Sequence, residues 1–211
     1  MALIVVGGHS RSVGKTSVVA GIVAAMREYR WLAVKITQYG HGICSNHGGP
    51  CDCAVDDVEH SFAINEERDR SGESDTSRFV LAGAARSLWV RSRQGYLAEA
   101  MPDLRQELAK HENVIIESNS VMRFLRPDLY LTVLDPNNPD FKDSARDYLD
   151  RADAILLHQT NGTPAWTNVS LRPVTTKPTF NVAEGKWIPE ELVEFIRGRI
   201  GRPQPHASEK D

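Results

Sequence analysis

Ala2-Leu3-Ile4-Val5-Val6-Gly7-Gly8-His9-Ser10-Arg11-Ser12-Val13-Gly14-Lys15-Thr16-Ser17 opens the chain. It joins an apolar strand, a turn-prone loop ending in Gly14-Lys15-Thr16 and the start of a helix-forming run. In that order the loop's backbone N–H groups and the following helix N-terminus form an anion cradle. A lysine at the position of Lys15 reaches the outer phosphates of a nucleotide, and a hydroxyl at Thr16 ligates Mg²⁺. The expected nucleotide contacts are therefore Gly8, His9, Ser10, Arg11, Ser12, Val13, Gly14, Lys15, Thr16 and Ser17.

The usual P-loop spacing is a glycine, four residues, then Gly-Lys-Ser/Thr. Counting back from Gly14 puts His9 at the first glycine position, with Gly8 one residue earlier, so the loop reads as longer by one residue. His9 is then expected to contact phosphate or a second substrate, and Arg11 a γ-phosphate or a partner's nucleotide.

Outward from this loop, strand-like and helix-like segments alternate, which predicts an α/β fold of three layers, α/β/α, with a mainly parallel sheet. Strands are expected at 2–6, 31–36, 87–90, 113–117, 129–134, 154–158 and 177–182. Helices are expected at 15–29, 75–84, 97–110, 141–150 and 190–199, with Pro102 in the early turns of its helix or dividing it. Residues 1–200 read as one P-loop domain and 201–211 as a frayed tail. The stretch 37–73 is too long for an ordinary connection and reads as an inserted loop carrying every cysteine.

The chain has 211 residues, 41% hydrophobic and 25% charged, as in ordinary globular proteins. A net charge of −3 without a basic cluster gives no nucleic-acid footprint. No apolar run reaches the roughly 18 residues that span a bilayer, and the N-terminus has no basic leader region. The three cysteines, an odd number, lie within ten residues, which argues against a secreted disulfide framework. The expected compartment is the cytoplasm, with neither nucleic acid nor membrane as partner.

Ligands of parallel sheets sit at the carboxyl ends of the strands. Glu117 closes the apolar run Asn113-Val114-Ile115-Ile116 and is expected to hold Mg²⁺ directly or through water. Lys35 ends the second strand and has two readings, a cation for charge developing on phosphate or a lysine reaching solvent.

These residues resemble known families. Gly8-His9-Ser10-Arg11-Ser12-Val13-Gly14-Lys15-Thr16 has the spacing of the phosphate loop of dethiobiotin synthetase, and Lys35 matches that family's lysine after strand two. Asp75-Thr76-Ser77-Arg78, followed by Ala82-Gly83-Ala84, is similar to the molybdopterin-guanine dinucleotide biosynthesis protein B family. Glu117 matches the acidic strand end of both. The resemblance covers residues 1–36 and 74–120. It implies the P-loop class that also includes nitrogenase iron protein-like ATPases and metal-insertion GTPases. From it Lys15 and Thr16 are phosphate and Mg²⁺ ligands, Asp75 and Glu117 are Mg²⁺ ligands or water orienters, Lys35 is a phosphate-side cation, and the chain is a homodimer. The guanine-reading Asn-Lys-x-Asp is absent. His158-Gln159-Thr160-Asn161 stands in its place, Asn161 can read a purine edge, and ATP and GTP both stay open.

Cys44, Cys51 and Cys53, with His41 or His47 nearby, can close a tetrahedral Zn²⁺ site or hold an iron–sulfur cluster. The downstream His60 lies beyond an acidic stretch. The sequence thus predicts a Mg²⁺-dependent nucleoside triphosphatase. Three uses remain open: assisting metal-cofactor biosynthesis or delivery, synthetase or kinase chemistry on a small acid or alcohol, and a switch controlling partner docking.

Overall fold

A computed structural model of the chain describes residues 1–39, 61–160, 163–166, 169–201 and 203. Its centre is β1 (Ala2–Gly8), flanked by β5 (Asn113–Glu117) and β6 (Leu129–Leu134). The eight-stranded sheet runs β3-β4-β2-β5-β1-β6-β7-β8. The remaining strands are β2 (Leu32–Tyr39), β3 (Phe62–Glu66), β4 (Arg86–Arg93), β7 (Ala154–His158) and β8 (Thr179–Val182). Every pairing is parallel except that of β3 with β4.

The central strands carry apolar side chains on both faces, as strands covered on both sides require. Alternation divides them. Leu3, Val5, Val114, Ile116, Leu32 and Val34 pack on one face with α3 (Leu97–Leu108) and α4 (Asp143–Arg146). Ile4, Val6, Ile115, Ala33 and Val133 pack on the other with α1 (Lys15–Ala25), α2 (Asp75–Ala82) and α5 (Glu190–Ile200). The expected three layers and mainly parallel sheet are present. Lys35 and Glu117 share the pleat phase of Ala33 and Ile115, so both face α1 and α2 and stand side by side in the register of β2 and β5.

The structure corrects several sequence boundaries. The stretch 37–73 is not loop throughout: β2 continues to Tyr39, and Phe62–Glu66 forms the antiparallel edge strand β3. Its core-side residues are Phe62 and Ile64 alone, too short an alternation to stand out among charged neighbours. Gly7 and Gly8 belong to β1 rather than to the loop. The expected helix 15–29 stops at Ala25 and continues as a 3₁₀ turn, Arg27–Tyr29. The expected helix 141–150 contracts to α4 and a separate 3₁₀ turn, Leu149–Arg151. Pro102 sits inside α3 without dividing it. Among the described residues no helix is long and apolar enough to cross a membrane. Cys44, Cys51, Cys53, His41, His47, His60 and Asn161, and most of the 201–211 tail, lie outside the described residues.

Candidate nucleotide site

The loop after β1 is held by its neighbours rather than by its own turns. Asn119, just past β5, clamps Gly8 from both sides: the Gly8 N–H donates to Oδ1 at 2.9 Å and Nδ2 donates to the Gly8 carbonyl at 2.8 Å. A Cβ on Gly7 would stand 2.3 Å from Asn119 Oδ1, so the clamp needs a glycine there. Gly14 caps α1 at φ 93°, in the left-handed region, and a Cβ there would meet the Trp187 ring at 2.0 Å. No side chain caps α1. Its first-turn N–H groups are therefore available to an anion at the dipole's positive end.

The carboxyl-terminal rim of the sheet opens into a cavity of about 1240 Å³ lined by Lys15, Thr16, Lys35, Asp75 and Glu117 among others. Within it Thr16 Oγ1 donates to Glu117 Oε2 at 2.8 Å. Lys35 Nζ pairs with Asp75 Oδ2 at 2.7 Å and with Glu117 Oε1, and lies 3.5 Å from Thr16 Oγ1. Asp75 reaches this point because Ser74 and Ser77 form a capping box that starts α2 there, with reciprocal bonds of 3.0 Å. Glu67 fixes the same turn by accepting from Thr76 Oγ1 at 2.7 Å and Ser74 Oγ at 3.1 Å. The hydroxyl and two carboxylates are oxygen donors of the kind a hard divalent cation takes, so the residues present fit the expected Mg²⁺.

The charges follow from this packing. Burial alone would lower the Lys35 ammonium, but the Glu117 and Asp75 carboxylates outweigh it and its pKa is raised. Burial would raise Asp75, and Lys35 outweighs that in turn and lowers it. Lys15 has no such pairing among the described residues. Its Nζ donates to the Ser10 carbonyl at 2.6 Å, and burial pushes its pKa down to about 8.

No family model and no curated protein matches the sequence. Several solved structures align with it. HypB from Helicobacter pylori in complex with nickel aligns over 98% of this chain and 91% of its own, at 14% identity and a TM-score of 0.48. LpxK from Aquifex aeolicus in complex with ATP aligns over 86% of this chain, at 19% identity and a TM-score of 0.48, and this chain spans 53% of its length. MobB from Bacillus subtilis aligns over 95% and 98%, at 14% identity and a TM-score of 0.38. The chain's own geometry is what decides: a central parallel strand, a glycine-capped loop, an uncapped helix N-terminus, and Thr16 bonded to the acid that ends the neighbouring strand. The fold is a three-layer α/β domain with a mainly parallel sheet built around a strand–loop–helix unit of P-loop form.

The structure gathers Lys15, Thr16, Lys35, Asp75 and Glu117 as the sequence expected, and Arg11, Ser12, Gly14 and Ser17 line the same cavity. His9 is a correction. Its ring is fully buried, Nδ1 donates to the Asp140 carbonyl at 2.6 Å, and Nε2 accepts the Asp135 N–H at 3.0 Å. Both nitrogens are thereby engaged in a neutral ring, and burial lowers the pKa further from charge. The ring belongs to the loop's support and does not face phosphate. Val13 and Ser10 are also buried: the Val13 side chain packs in the core, and Ser10 Oγ donates to the Arg11 carbonyl at 3.1 Å. Ser10 still turns its carbonyl to Lys15, and Val13 turns its carbonyl to His158 Nε2 at 3.1 Å.

Sequence reasoning missed Asn119, Arg78 and Lys142 as site residues. Asn119 lies two residues past Glu117, so the strand-end position was its available signal. Arg78, whose Nη2 donates to Ser17 Oγ at 3.0 Å, lay in the quoted Asp75-Thr76-Ser77-Arg78 segment. Lys142 comes from a connection with no motif. Among the described residues no group of three or more His, Cys, Asp or Glu side chains is placed to hold a metal ion.

Proposed function

We propose that the protein binds a nucleoside triphosphate with Mg²⁺ and cleaves its terminal phosphoryl group. The carrying observation is the Thr16–Glu117–Lys35–Asp75 network beside an uncapped helix N-terminus and Lys15. Lys15 and the first N–H groups of α1 stabilise negative charge on the phosphates as it builds in transfer. Thr16, Glu117 and Asp75 would hold Mg²⁺, which supplies charge neutralisation across the outer phosphates. Lys35 pairs with both carboxylates and holds them aligned. Lys15→Ala tests the reading: it should lower ATP and GTP affinity by more than about a hundredfold, the loss of a charged hydrogen bond in a cradle built around it. The melting temperature should hold. Calorimetric titration that finds affinity undiminished overturns the reading.

The use to which the cleavage is put follows the family resemblance: assistance in metal-cofactor biosynthesis or delivery, with Cys44, Cys51, Cys53 and His47 binding Zn²⁺ or an iron–sulfur cluster. Elemental analysis of the purified protein checks this. A stoichiometric metal that Cys53→Ser removes, with nucleotide binding intact, is expected, and an unchanged metal content sinks it. A second reading has its own support. The cavity extends past Lys35 to Thr37, Gln38, Tyr39, Trp89 and Gln94, which is room for an acceptor beside the nucleotide. Phosphate release that requires an added small acid or alcohol would favour this synthetase or kinase reading.

A further inference from the structure

The cations around the cavity are not equivalent. Lys35 is held by two carboxylates, and Arg78 is bonded to Ser17. Lys142 lines the same cavity, partly buried. Among the described residues its ammonium has neither an ion pair nor a hydrogen bond. The exposed Asp140 is a nearby carboxylate and does not pair with it. Burying an ammonium at a cavity wall without a counter-charge is unfavourable unless an anion enters that cavity.

What holds Lys142 there is His9, the residue standing where the motif spacing asks for glycine. Its ring bonds the segment 135–142 at both ends, donating to the Asp140 carbonyl and accepting the Asp135 N–H. Its own carbonyl accepts the Lys142 N–H at 2.8 Å. Phe141 and Trp166 pack on the ring with centroids at 5.2 Å and 5.1 Å. Asn138 Nδ2 adds a bond to Ser10 Oγ at 3.0 Å. Glycine at this position keeps the backbone bond and loses every ring contact.

We propose that Lys142 is a further triphosphate-binding cation of this site, and that His9 is the residue that positions it. The proposal rests on reading the cavity as a nucleoside triphosphate site. It gives histidine at this position a role: where the usual spacing has glycine, the ring fixes a second phosphate-binding wall.

The test is calorimetric titration of ATP and GTP, with Mg²⁺, into wild type, Lys142→Met, Lys142→Arg, His9→Gly, His9→Asn and the double variant His9→Gly/Lys142→Met. Lys142→Met should weaken binding about tenfold, the effect of one partly screened charged hydrogen bond, and Lys142→Arg should restore most of it. His9→Gly, although it returns the loop to motif spacing, should weaken binding by a similar factor. The double variant should be no worse than either single one, as two residues acting through one contact require. Wild-type affinity in Lys142→Met overturns the role of Lys142. Additive losses in the double variant overturn the positioning by His9. Should His9→Gly fail to fold, His9→Asn, which keeps a donor and an acceptor, carries that arm, and Lys142→Met stands alone because it leaves the backbone bond in place. Binding by wild type that Lys15→Ala abolishes and Lys142→Met leaves unchanged rejects this inference and spares the nucleotide site. A wild type that binds neither ATP nor GTP rejects both.

Discussion

Lys35 and Lys142 are both partly buried lysines at one rim of the sheet, and they stand in opposite surroundings. On the α2 side, Lys35 lies among Asp75, Glu117 and the Thr16 hydroxyl, and its charge is balanced within the protein. On the side of segment 135–142, Lys142 and Arg11 line the cavity without carboxylate partners among the described residues, and Lys15 is turned to a carbonyl. On the proposed reading, the first wall holds a divalent cation through carboxylate and hydroxyl oxygens. The second is fitted to hold an anion. Coulombic attraction between fixed groups counts for most where both are desolvated, so the Lys35 wall is preorganised before any ligand arrives, whereas the Lys142 wall is completed by the ligand.

This separation makes the walls distinguishable in solution. Glu117→Gln keeps the side chain's size and its acceptor for Thr16 while removing the charge. It should reduce phosphate release by about 10²–10³-fold, the scale on which a preorganised charge acts in a transition state. Nucleotide affinity measured with the divalent ion chelated should stay at the wild-type level. Lys15→Ala and Lys142→Met should show the reverse pattern, lost affinity even without the ion. If Glu117→Gln abolished metal-free binding as Lys15→Ala is expected to, the two walls would not be functionally distinct.

How much of this the sequence shows depends on how local each feature is. The β1–loop–α1 unit was legible because strand, loop and helix are contiguous and each has its own periodicity. Glu117 was legible from the apolar run before it, and Asp75 from its segment's family likeness. The layer architecture followed from alternation, and the strands from 113 to 158 kept their expected bounds. What escaped is non-local. The Asn119 clamp on Gly8 and the His9 contacts with 135–142 join residues far apart in sequence, and nothing in either segment alone specifies the pairing. The sequence placed His9 correctly at the glycine position and then aimed its ring wrongly, because a histidine in a loop gives no sign of which side is buried. β3 escaped for a different reason: a five-residue edge strand with two apolar positions lies below the length at which alternation separates from chance.

The smallest and most diagnostic effect is on pH. Burial holds Lys15 down to about 8, Glu117 opposes this, and the like charge of Lys142 and then Lys35 adds to it. An unfolded lysine titrates near 10.5, so between about 8 and 10.5 the unfolded chain carries a proton that the folded Lys15 does not. The contribution of Lys15 to stability therefore rises with pH across that window. Lys35 has the opposite sign: its pKa is raised, so its contribution is full below 10.5 and is lost as pH climbs past its folded value. Phosphate binding needs Lys15 as the ammonium, so affinity should be full below about 8 and fall above it, by at most about tenfold per pH unit. Titrations of ATP from pH 7 to 10 read this midpoint directly. Lys142→Met removes a like charge from beside Lys15 and should move the midpoint to higher pH, even as it weakens binding overall. A midpoint that stays in place would mean that Lys142 does not share a field with Lys15, and the anion wall would then consist of Lys15 and Arg11 without it.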